Sequence, residues 1–114
     1  MLDEATWRRG VTLFEGGAYW DAHEALEEAW MHSHGIEKHF LGGVILLAAA
    51  LHKARALRSP RGGRRNYAKA LKHLALVPDR YHGVDVRELE ARVHRALRNA
   101  DVRPRIPRDP EASP

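Results

Sequence analysis

Cysteine and glutamine are absent from this chain of 114 residues, and asparagine occurs only as Asn66 and Asn99. Without cysteine there is no disulfide and no thiolate chemistry, and a cytoplasmic setting is the expectation. No apolar run reaches membrane length. The longest, Phe40 to Leu51, falls short of the roughly 20 residues that span a bilayer, so it reads as a core helix and no membrane partner is expected. The opening Met1-Leu2-Asp3-Glu4 is acidic and lacks the basic-then-apolar layout of a secretory signal. β-branched residues are sparse and no segment sustains a period-two alternation, which argues against sheet.

What is present fits a soluble globular domain with one core: 44% of residues are apolar and 30% charged. Charge is unevenly divided. Residues 1–51 carry three basic side chains (Arg8, Arg9 and Lys38) against eight acidic ones, a net of −5. Residues 52–114 carry sixteen basic against seven acidic, a net of +9. Arginine outnumbers lysine fifteen to four, a thermophile-like bias.

The periodicity predicts an all-α fold, a single-domain bundle or array of about five helices around a central apolar third helix. A first helix is expected from an Asp3 cap to Glu15, burying Trp7, Val11 and Phe14 at i, i+4, i+7. Gly16-Gly17 ends it, and a second helix covers about Ala18 to Met31. The third spans about Glu37 to Arg58, with Gly42-Gly43 marking close approach by a neighbour. Ser59-Pro60 reads as cap and first residue of a fourth helix, which Pro78 stops. Asp85 and Glu88 form a capping-box pattern for the fifth, with Val84 stapled to Leu89. The helical domain is expected to cover residues 1–101, and the proline-rich tail 102–114 to be extended or disordered. One weak repeat is visible. Tyr19-x-x-Ala22-x-x-x-Leu26 returns as Tyr67-x-x-Ala70-x-x-x-Leu74, which points to packed helical hairpins.

The second helix carries the chemistry. At about 100° per residue, Tyr19, Ala22, Leu26 and Trp30 form its buried face, and His23 lies only about 20° from Trp30. Glu27 flanks His23, and Glu24 lies further round. On the third helix His52 shares a stripe with Leu41, Ile45 and Ala48, with Arg55 close by. Antiparallel packing of the two helices predicts that His52 approaches His23 and Glu27. A buried His/Glu cluster of this kind reads first as a structural polar network. The alternative is a metal or acid–base site, with His23, Glu27 and His52 as ligands of a divalent metal such as zinc, and Glu24 acting on a bound water. His-Glu-x-x-Glu shares the helical spacing of the zinc-protease His-Glu-x-x-His but lacks its second histidine. A resident metal and none at all are equally compatible with these residues, and they do not decide between an enzyme and a non-enzyme. His32, His34 and His39 flank the second turn and read first as solvated residues, with adventitious metal binding as the alternative, and His73, His82 and His94 read as isolated ones.

A third reading uses the basic half. Arg61, Arg64, Arg65 and Lys69 offer an anion-binding or nucleic-acid-binding face. No recognised nucleic-acid motif accompanies them, so nucleic acid is not the favoured partner. A homo-oligomer stays open, because the apolar faces can be buried internally or across a dimer.

The segment Phe14-Glu15-x-Gly17-x-Tyr19-x-x-Ala22-His23-Glu24-x-Leu26-Glu27-x-x-Trp30 resembles the signature of the bacterial domain of unknown function 309. Phe40-Leu41-x-Gly43-Val44-Ile45-x-Leu47-Ala48-Ala49-Ala50-Leu51-His52 and Gly83-Val84-Asp85-Val86-x-x-Leu89 agree with it, so the likeness covers about residues 5–98. The resemblance implies small, bacterial, compact all-helical proteins of cytosolic type with no assigned activity. It carries over His23, Glu24, Glu27, Trp30 and His52. The chain departs from the family pattern in three places. Leu46 stands where glutamine is usual, Lys53 where a second histidine is frequent, and Ser59-Pro60 where the pattern has Gly-Asn.

Overall fold

The structure is a computed structural model that describes residues 2–110. The last four positions of the expected tail, 111–114, lie outside the described residues. Five helices follow one another: α1 (Glu4–Glu15), α2 (Tyr19–Met31), α3 (Gly35–Arg55), α4 (Pro60–Leu74) and α5 (Val86–Arg98). Their starts follow from capping chemistry. Asp3 accepts the Thr6 N–H, Ser59 Oγ accepts the Gly62 N–H, and Asp85 accepts the Glu88 N–H. The box at α5 stays half-made. The Asp85 N–H donates to the Pro107 carbonyl, and the Glu88 carboxylate turns to Arg92 and Arg95.

The third helix is central. Its run from Phe40 to Leu51 is buried apart from Leu46, and α2, α4 and α5 all pack against it. It begins two residues earlier and ends three earlier than the sequence predicts. The chain must turn back into α4, and Arg58 takes a left-handed φ of +51° to do so.

Two leucines of the repeat sit on glycines of the preceding helix. A Cβ on Gly10 would stand 2.6 Å from Leu26, and one on Gly43 would stand 2.4 Å from Leu74. No side chain fits at either place without displacing a buried leucine. Helices α1 and α2, and again α3 and α4, therefore form two hairpins locked by the same leucine-on-glycine seat.

Between α4 and α5 stands a short antiparallel pair where the periodicity predicts no strand, β1 (Arg80–Tyr81) with β2 (Val84–Asp85). Two-residue strands are too short to show alternation. The signal was the turn itself, since His82 and Gly83 both have positive φ, +51° and +74°, as a type I′ hairpin requires. Residues 102–110 form no helix and run across α1 and this hairpin. Ile106 is buried there, and the Ile106 N–H and Arg108 both reach the Glu15 carboxylate, at 3.0 and 2.8 Å.

Candidate functional site

Helix α2 presents His23 and Glu27 one turn apart, so both side chains lean the same way. His23 Nδ1 stands 3.8 Å from Glu27 Oε2, an ion-pair separation beyond hydrogen-bond reach. That nitrogen is buried and has no hydrogen-bond partner among the described residues. The cluster is shallower than the helical wheel predicts: the side chains of His23 and Glu27 are 20% and 50% exposed. The cause is an angular offset that puts both at the edge of the stripe, while Tyr19, Ala22 and Leu26 fill its centre.

His52 comes near His23 by way of a third residue. Trp20, 46% exposed, stacks on the His23 ring at 4.6 Å and 8°, and its ring lies 5.2 Å from that of His52. Trp20 and His23 stand at i, i+3, a spacing that could have flagged the stack. Among the described residues no three or more His, Asp or Glu side chains gather into a group fit to hold a metal ion. His23, Glu27 and His52 thus do not form a three-ligand set. Glu24 faces away from them, into a groove of about 470 Å³ between α1 and α2 that it shares with Asp3, Arg9 and Glu28. Arg55 is also elsewhere. Its guanidinium bonds Tyr19 Oη and the carbonyls of Ala96, Asn99 and Val102, tying α3 to the end of α5. Burial raises the Tyr19 phenol above its ordinary pKa, with Arg55 opposing.

What His23 and Glu27 do share is a cavity of about 260 Å³ between α2, α3 and α4, with Trp30, Gly42, Ile45, Leu46 and His73. Its floor is apolar. Gly42 keeps that floor open: a Cβ there would stand 3.2 Å from Trp30 Nε1 and 3.7 Å from His73 Nδ1. His73 is held by His39, their Nδ1 atoms 3.2 Å apart, so one ring donates and the other accepts. Neither residue stood out in the sequence, where they are 34 positions apart. The signal lay in the register of α4 on α3, because seating Leu74 on Gly43 brings the adjacent His73 to Gly42.

The basic residues all lie on α4. Arg61, Arg64, Arg65 and Lys69 are exposed, and none forms an ion pair with another described residue. Arg64 lines a recess of about 440 Å³, together with Tyr67, His94, Leu97 and Arg98.

Fold and cavity together define a small all-helical domain of two leucine-locked hairpins with a recess between α2, α3 and α4 lined by both polar and apolar side chains. The pattern of the family described as Domain of unknown function (DUF309) matches residues 7–66, more than half of the chain, and the chain belongs to that family. The matched span includes every residue of the cavity except His73. The chain is also similar to the crystal structure of a conserved hypothetical protein from Thermus thermophilus. The two are 40% identical with a TM-score of 0.75, over 85% of this chain and 98% of the other. No curated protein matches. Leu46 lines the cavity wall.

Proposed function

We propose that this protein binds a small apolar amine in the cavity between α2, α3 and α4. The carrying observation is the buried, unpartnered Nδ1 of His23 beside the Glu27 carboxylate at the edge of an apolar recess. A buried polar atom without a partner is rare in a folded chain, and a small turn of the His23 ring would bring this one to the recess. An ammonium or amine N–H donates to Glu27 and to His23 Nδ1 in its unprotonated form, while the hydrocarbon part covers Ile45, Leu46 and Trp30. A polar network of His23, Glu27 and His52 has weaker support, since no hydrogen bond among the three accompanies their closeness.

Benzylamine is a suitable probe. With eight non-hydrogen atoms at about 0.5 kcal/mol each, its Kd should be about millimolar. Added to 15N-labelled protein, it should shift the amides of Gly42, Ile45 and Leu46 and the Trp30 indole N–H, and saturate. Glu27→Gln should weaken it at least about fivefold, and Leu46→Trp should abolish the shifts by filling the recess. Shifts scattered over the surface, or unchanged in both variants, would refute the reading.

A second reading, an anion-binding face, draws on the unpaired cations of α4. It expects steeply salt-dependent binding to a nucleic-acid backbone that falls when Arg61, Arg64, Arg65 and Lys69 are replaced together. Binding too weak to measure at low salt would remove it.

A further inference from the structure

We infer that His39 and His73 form a two-imidazole chelate for zinc at the rim of the cavity. The inference goes beyond the amine reading and does not rest on it, since it needs only these two residues. Its basis is a distance. In a tetrahedral zinc site with Zn–N of about 2.0–2.1 Å, two ligand nitrogens stand roughly 3.3–3.4 Å apart. The Nδ1 atoms of His39 and His73 are 3.2 Å apart, close enough for one ion to bridge both.

The scaffold holds this spacing before any metal arrives. His39 lies on the first turns of α3 and His73 on the last turn of α4, and the seat of Leu74 on Gly43 fixes one helix against the other. Both side chains are half-buried and their ring centroids are 5.4 Å apart. Without metal, one Nδ1–H donates to the other Nδ1. Zinc takes the place of that proton. The donor ring moves its hydrogen from Nδ1 to Nε2, both rings stay neutral, and each presents a lone pair to the metal. With no third metal-capable side chain grouped with them among the described residues, the remaining positions go to water or to a bound ligand.

The test uses the full chain without an affinity tag, stripped with a chelator, and zinc alone as probe against a chromophoric zinc indicator. One equivalent should bind. His39→Ala and His73→Ala should each weaken it at least tenfold, and His23→Ala and His52→Ala should leave it within about twofold. Cobalt(II) should give the intense visible bands of tetrahedral coordination in the wild type and lose them in the first two variants. If either alanine variant loses helical circular dichroism, His39→Asn and His73→Asn take its place. Zinc should raise the Tm of the wild type and not of these variants. Zinc binding that survives loss of both histidines, as at His32 and His34 on the surface, would overturn the inference, as would no binding at all. Neither result touches the amine reading, whose probe contains no metal.

Discussion

Leu74 sits where a side chain on Gly43 would have to be, 2.4 Å from a Cβ built there. This one contact sets the register of α4 on α3, and with it the positions of His73 over Gly42 and beside His39. Gly43→Ala should therefore destabilise the fold by about 1–3 kcal/mol, although alanine is the better helix former by about 1 kcal/mol. Urea unfolding measures it. Gly10→Ala, which meets Leu26 at 2.6 Å, should behave alike. An increase in stability in either would show that the leucines can yield.

Arg55 binds the carbonyls of Ala96, Asn99 and Val102 with one guanidinium. Hydrogen bonds to a charged group contribute about 1.5–3 kcal/mol, so Arg55→Ala should cost about that much. Arg55→Lys should recover part of the loss, because one terminal nitrogen meets all three carbonyls and only the second nitrogen's bond to Tyr19 Oη has no counterpart in an ammonium. Amide exchange at the end of α5 should accelerate in both variants.

Leu46 gives the cavity part of its apolar wall. Leu46→Gln should weaken benzylamine by about 1 kcal/mol, roughly fivefold, through lost apolar contact. Unchanged affinity in the titration would mean that the hydrocarbon part lies elsewhere.

Glu90 is largely buried on α5, and burial raises its carboxyl pKa above the ordinary carboxylate range, with Arg87 opposing. A raised pKa means that the folded state holds the proton more tightly than the unfolded one. The stabilising effect of protonation is present in full below the unfolded value and is lost as pH rises through the folded one. Glu90→Gln should accordingly raise Tm at pH 7, and the gain should shrink as pH falls through the acidic range. A gain independent of pH would contradict this cause.

Much of this architecture was legible in local pattern, because helix caps and apolar stripes are short-range chemistry. Asp3, Ser59 and Asp85 cap where the sequence places them, and the Tyr-Ala-Leu repeat marks the two seated leucines. The site was only half legible. His23 and Glu27 share a helix, so i, i+4 spacing brings them together. His39 and His73 meet only through the packing of two helices, which no spacing rule encodes. Trp20 was overlooked because its outward position hid a stack along the helix axis. The β1–β2 pair escaped because strands of two residues have no period to detect.

The central claim is that the recess between α2, α3 and α4 takes a ligand through His23 and Glu27. A benzylamine titration followed at the Trp30 indole N–H, in wild type and in Glu27→Gln, tests it most directly. The expected result is a saturable shift of about millimolar Kd that weakens at least about fivefold in the variant. A Trp30 signal that stays still while other amides move, or the same affinity in both proteins, would contradict it.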